Sequence, residues 1–146
     1  PDVDNRYSDE KIVTHDGQEV HSVVLPTDDY VCNAKEVQEA DVVLIDEAQF
    51  FDFIHIGVTS LLEKGKVVYC SGLDMDYRGI PFYEMSQLMG IADKVNKLKA
   101  VCSDCGDDSY ITAKTSGTDS RVEIGSKDIY KPLCRKCYNK LQEESK

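Results

Sequence analysis

The feature that most constrains this chain is a pair of close cysteine spacings in its last third. Cys102 and Cys105 form one C-x-x-C, Cys134 and Cys137 form a second, and residues 106–133 lie between them. Each C-x-x-C turn offers two sulfurs from one backbone knuckle, and four thiolates about 2.3 Å from a zinc ion complete a tetrahedral cage. Gly106 turns the backbone after the first knuckle, and Arg135 and Lys136 set cations beside the second. Two redox-active C-x-x-C motifs remain the other reading of these residues, and duplication at this spacing favours zinc. Cys32 and Cys70 have no such partner; Cys70 sits in an apolar run and reads as a small buried hydrophobe. Cysteine used this way implies a reducing compartment, the cytoplasm.

Upstream, the pattern is that of an α/β protein. Residues 41–47, Asp-Val-Val-Leu-Ile-Asp-Glu, form a β-branched apolar run ending in two carboxylates, which predicts a buried parallel strand polar only at its tip. Residues 53–64 carry a helical stripe of Ile54, Val58, Leu61 and Leu62, closed by Gly65, and residues 66–71 read as a second buried strand. Strand, helix and strand with short joints make a βαβ unit. Shorter elements are predicted at 20–25 (strand), 34–40 (helix), 82–92 (helix) and 97–101 (strand). Residues 109–114 and 121–125 alternate like a hairpin, and the charged tail 140–146 is expected to fray. The predicted architecture is a parallel sheet flanked by helices over residues 1–100, followed by a small zinc-anchored β domain over 101–139. Lys and Arg total 17 against 27 Asp and Glu, a net charge of −10. That balance argues against a protein that tracks nucleic-acid phosphates, and no stretch is apolar enough for a membrane helix.

Ligands of open parallel sheets bind at the carboxyl ends of the strands, where Asp46 and Glu47 fall. An apolar strand ending in Asp-Glu has the form of a Walker B motif, in which the Asp orients Mg²⁺ and the neighbouring Glu takes a proton from the nucleophile. The same pair also suits an acidic helix cap or a solvated strand end. Gln49, Phe50 and Phe51 add an amide and aromatic walls, fit for a planar, uncharged ring with a hydroxyl arm. Asp74 and Asp76 in the loop 72–81 either cap a turn or face that ligand.

Four stretches, Ile45-Asp-Glu-Ala-Gln-Phe-Phe51, Ser71-Gly-Leu-Asp-Met-Asp-Tyr-Arg-Gly-Ile-Pro-Phe82, Ala92-Asp-Lys-Val-Asn-Lys-Leu-Lys-Ala-Val-Cys102 and Ile129-Tyr-Lys-Pro-Leu-Cys-Arg-Lys-Cys-Tyr138, closely resemble the cytosolic, zinc-containing (type II) thymidine kinases. The resemblance extends to Asp4-Asn-Arg-Tyr-Ser8 and runs in order over about residues 2–138. It implies a P-loop-kinase-like sheet and transfer of the ATP γ-phosphate to the 5′-hydroxyl of thymidine, with deoxyuridine also accepted. It assigns Glu47 as the general base, Asp46 as the Mg²⁺ residue, and Asp4 and Arg6 to the metal and phosphates. Phe50, Leu73, Tyr77 and Phe82 match walls of the nucleoside pocket. A lasso over about 114–130 closes on the thymine, with Ile124, Gly125 and Tyr130 nearest the base and zinc as its anchor. Feedback by dTTP and assembly as a homotetramer are also implied.

One expected element is missing from these residues. No GxxxxGK[ST] phosphate loop occurs, since Gly65-Lys66 is followed by Val67. In the family that loop precedes the D-x-R-Y motif, at which this chain opens. The resemblance therefore implies that the first strand, phosphate loop and next helix lie upstream of Pro1, and that these residues alone do not hold ATP. Two other readings, a zinc-ribbon binding module and a different P-loop ATPase, account for neither the Gln-Phe-Phe run nor the 72–82 loop.

Overall fold

The computed structural model describes residues 11–13, 18–115 and 129–144. Asp4, Arg6, Ile124, Gly125 and the expected strand 121–125 lie outside them. Strands β1 (Lys11–Val13) and β2 (Glu19–His21) pair antiparallel, so extended chain begins earlier and ends sooner than the 20–25 expected. A short helix α1 (Lys35–Glu39) precedes β3 (Val42–Ile45), α2 (Ile54–Glu63), β4 (Val67–Cys70) and α3 (Tyr83–Ile91). Two-stranded antiparallel pieces follow: β5 (Ala100–Val101) with β6 (Asp108–Ser109), and β7 (Ile111–Lys114) with β8 (Tyr130–Leu133). Helix α4 (Arg135–Glu144) ends the described chain. No helix among the described residues is long and apolar enough to cross a membrane.

The chain divides into two compact units. The first holds residues up to Asp74 plus Tyr83–Asp93; the second holds Met75–Phe82 and everything from Lys94 onward. The loop 75–82 thus groups with the cysteine-bearing part, although the sequence alone places the division near residue 100.

In the first unit β3 and β4 run parallel, in register from Val42 with Val67 to Ile45 with Cys70. The α2 stripe buries Ile54, Gly57, Val58 and Leu61, while Leu62 is exposed at its edge. Gly65, at φ +75°, ends this helix in a Schellman turn: the N–H of Lys66 reaches the Leu61 carbonyl (3.1 Å) and that of Gly65 reaches Leu62 (2.9 Å). From α3, Met85 and Leu88 join the core, whereas Ala92 is exposed. One expectation fails here. β3 is buried on one face only: Val43 and Ile45 are covered, but Val42 and Leu44 are exposed, as are Val67 and Tyr69 beside them. A continuous apolar run reads as buried on both faces because helices usually cover both sides of a parallel sheet. Among the described residues this pair is covered on one.

The second unit is built on Cys102, Ala113, Leu133 and Cys134, against which Cys137, Tyr138 and Leu141 pack. β7 finds its partner in β8, with Thr112 opposite Pro132, a strand the sequence hides because Pro cannot donate to a ladder. The tail also differs from expectation. It is helical to Glu144, since Cys137, Tyr138 and Leu141 give α4 an apolar stripe inside a charged sequence.

Candidate functional site

The carboxyl end of β3 is where the first unit concentrates its chemistry. Pairing continues past the strand, with the Ser71 N–H on the Ile45 carbonyl (2.9 Å) and the Ala48 N–H on the Ser71 carbonyl (2.9 Å). Asp46 is exposed, and its Oδ1 accepts a hydrogen bond from the Ser71 hydroxyl at 2.6 Å. Glu47 follows in the left-handed region at φ 52°, ψ 42°, a conformation costing a non-glycine residue about 1–2 kcal/mol. A single 3-10 turn over Ala48–Phe50 then sends the chain down into the core, burying Ala48, Gln49 and Phe51. Gln49 is 6% exposed and bound at both ends: its Nε2 donates to Glu47 Oε2 (2.6 Å), and its Oε1 accepts from the Leu73 N–H (3.0 Å). Gly72 presses against this link. A Cβ there would meet Gln49 Oε1, the Ala48 nitrogen and the Met85 sulfur, so close packing requires glycine. Asp46, Glu47, Gln49, Phe50 and Leu73 are thus assembled at one strand end. Phe50 is half-buried and Leu73 exposed.

In the second unit Tyr77, Phe82 and Tyr130 occupy the loop 75–82 and the start of β8. Phe82 is buried. Lys114 Nζ lies 5.0 Å from the Tyr77 ring centre and 5.9 Å from that of Tyr130, gathering the two aromatics around one cation. Arg78 approaches the Tyr77 ring at 5.5 Å, and the Tyr138 hydroxyl donates to the Tyr77 carbonyl at 3.1 Å. Sequence reasoning missed Lys114 and Tyr138 as organisers of this loop; Tyr138 signals itself only by following Cys137.

Asp76 resolves as a turn-former. Its Oδ1 accepts the N–H groups of Arg78 and Ile80, both at 3.0 Å, and its Oδ2 takes the Arg78 guanidinium at 3.0 Å. Burial alone would raise its pKa, but these donors outweigh it and hold the carboxyl below its ordinary value. A carboxyl lowered in the folded state adds stability above its unfolded pKa of about 3.9, and that stability is lost as pH falls through the folded value. Asp76→Asn is accordingly expected to cost about 1–3 kcal/mol near pH 7. In denaturant titrations from pH 7 to pH 3, the gap from the parent protein should narrow below about pH 4. A gap independent of pH would refute the assignment.

The four cysteines converge. Cys102 follows β5, Cys134 follows β8, and Cys137 lies in the first turn of α4. Their sulfurs all lie within 4.8 Å of one another, and Cys105 Sγ is 3.6 Å from Cys134 Sγ. Tetrahedral zinc–thiolate geometry puts neighbouring sulfurs roughly 3.8 Å apart, so the donor set fits a metal such as zinc. Taken alone, the thiols divide their protons unequally. Backbone donors, the Cys134 N–H foremost, pull Cys102 down to about 6. At Cys105 the Asp107 N–H acts in the same sense but is outweighed by the Cys102 sulfur and by burial, which push that thiol up to about 12. A bound dication removes the conflict by letting all four ionise. Cys70, in the other unit, is half-buried rather than the fully buried thiol expected, and what burial it has pushes it up to about 11.

The thymidine kinase family model matches residues 1–138. The chain is 43% identical over 145 residues to a thymidine kinase of Bacteroides thetaiotaomicron, covering 99% of this chain and 72% of that protein. It is 41% identical over 147 residues to a thymidine kinase of Bacteroides fragilis, covering 100% of this chain and 73% of that one. A second B. fragilis strain, YCH46, carries a thymidine kinase 40% identical over 147 residues.

Proposed function

Because the chain belongs to the thymidine kinase family, we propose that it transfers the γ-phosphoryl group of ATP to the 5′-hydroxyl of thymidine, giving dTMP for nucleotide salvage. The observation that carries this reading is the strand-end pair Asp46-Glu47, with Glu47 held left-handed and hydrogen-bonded to a buried amide. Phosphoryl transfer asks the protein mainly for positioning, charge neutralisation and an acceptor for the hydroxyl proton. Glu47 is that acceptor. Asp46, an exposed hard oxygen donor, is the residue we assign to Mg²⁺, which when bound with ATP neutralises charge developing on the phosphates. Asp4 and Arg6 join the same task by resemblance. The resemblance assigns Phe50, Leu73, Tyr77, Phe82 and Tyr130 to the nucleoside pocket, with Ile124 and Gly125 nearest the thymine. The parallel β3–β4 pair is read as part of a P-loop-kinase sheet.

The four-cysteine centre is read as structural zinc, because all four donors are sulfur, which leaves no open position for chemistry. Thiolate ligation suits the cytoplasm, where thiols stay reduced. Homotetramer assembly and inhibition by dTTP follow from the resemblance and are carried forward on that basis. A family match running through both units disfavours a free-standing zinc-ribbon module and a different P-loop ATPase.

The discriminating experiment pairs binding with turnover. Thymidine at a hundredfold excess over its Kd contributes about 2.7 kcal/mol, a rise in Tm of roughly 5–10 °C for a chain of this size. Labelled phosphate should pass from ATP to thymidine and not to cytidine when the assay uses the full-length protein with its phosphate loop. A Tm indifferent to thymidine, with no transfer, would overturn the reading.

A further inference from the structure

Gln49 was expected to face the nucleoside, yet both ends of its amide are engaged inside the first unit. We infer that Gln49 is a positioning residue for the general base, tying the Glu47 carboxylate to the backbone of the loop that follows β4. The inference rests on the assignment of Glu47 made above.

Three observations support it. Gln49 is 6% exposed in the 3-10 turn directly beneath Glu47, so its carboxamide is buried and its partners are fixed by packing. One end donates to Glu47 Oε2 at 2.6 Å, and the other accepts the Leu73 N–H at 3.0 Å, spanning the gap between the ends of the two parallel strands. Gly72 closes the cage, since any Cβ there would drive into Gln49 Oε1. A left-handed Glu47 is unusual for a residue with a long side chain. The short hydrogen bond from Gln49 fixes one carboxylate oxygen of Glu47. Glutamine suits the task because one flat group both donates and accepts, where a charged residue would compete with the base.

Two readings of Gln49 separate in steady-state kinetics. A residue that orients the base acts on kcat, because misplacing a catalytic group by about 1 Å costs on the order of 100-fold. A residue that holds the nucleoside acts on the KM for thymidine. Gln49→Met keeps the length and removes both hydrogen bonds. Gln49→Glu keeps an acceptor for the Leu73 N–H but replaces the donor to Glu47 with a second carboxylate that opposes it. Both are expected to lower kcat about 10- to 100-fold with the thymidine KM changed less than threefold. A raised KM at unchanged kcat, or no change in either, overturns the inference. Glu47→Gln in the same assay guards the premise: if it leaves kcat intact, the assignment of the base has failed, not that of Gln49. Should both Gln49 variants fail to fold, the parent protein still decides. Its Gln49 side-chain amide protons are expected to exchange slowly and resonate downfield, and to move when Glu47 is replaced by Gln. Fast-exchanging signals at ordinary amide positions would refute the tie.

Discussion

Replacing Glu47 with Gln is expected to reduce kcat for thymidine phosphorylation by about 10²–10⁴-fold, the range that general-base catalysis contributes. Gln matches Glu in size but cannot accept a proton, so the thymidine KM should stay within a few-fold of the parent value. Backbone conformation makes a second substitution more telling. Glu47 adopts φ 52°, where glycine is at ease and other residues pay about 1–2 kcal/mol. Glu47→Gly is therefore expected to abolish turnover while changing stability by no more than about 1 kcal/mol, relief of strain offsetting the lost hydrogen bond with Gln49. Thermal denaturation and kinetics on the two variants check this directly. If Glu47→Gly unfolds the protein, the residue serves the fold; if it stays active, it is not the base.

The second large effect concerns the cysteines. Chelation of the metal, or Cys102→Ser, is expected to unfold the second unit and leave the first intact. The reason lies in the size of its core: among the described residues its buried apolar set is Phe82, Cys102, Ile111, Ala113, Leu133 and Cys134, and two of these six are ligands themselves. Burial of these few side chains contributes on the order of 10 kcal/mol, too little to offset the entropy of ordering β5 to β8 and α4. Structural zinc supplies roughly 10–16 kcal/mol in small thiolate sites. Hydrogen exchange should show amides of β7 and β8 losing protection on chelation while those of β3, β4 and α2 keep theirs. Elemental analysis should find one zinc per chain in the parent protein and none in Cys102→Ser. Retained protection in β7 and β8 without metal would refute the claim. Thymidine binding should fall as well, because Tyr138, one residue beyond Cys137, holds the Tyr77 carbonyl.

How much of this was legible beforehand follows from which signals are local. β3, α2, β4 and α3 lie close to where periodicity puts them, since each is a strong run bounded by Gly65, Gly72 or the loop 72–81. The cysteine cluster was legible from spacing alone, because two residues between ligands is a geometric demand of the knuckle. The rest depends on contacts distant in sequence. β8 hides behind Pro132 and reveals itself only opposite Thr112. Charge conceals α4, whose apolar stripe packs on Leu133 just before it and on Cys102 and Ala113, more than twenty residues earlier. Val42 and Leu44 look as apolar as Val43 and Ile45, and no local rule says which face is covered. Asp46, Glu47 and Gln49 were recognisable as residue types at a strand end. The left-handed turn at Glu47 and the burial of Gln49 were not, because Glu has no preference for that backbone region and Gln is usually exposed.

Where β7 gives way to the segment 116–128, a small clasp joins the two sides: the Thr115 N–H donates to the Ile129 carbonyl at 2.8 Å, and the Thr115 hydroxyl reaches the same oxygen at 3.1 Å. Loop closure is thereby completed at the base, ahead of anything that happens along the segment. Doubling the length of a closed loop adds only about 0.6 kcal/mol of entropy. Natural variation can therefore lengthen, shorten or rewrite 116–128 at little cost to the cysteine-bearing scaffold, so long as Thr115 and Ile129 stay joined.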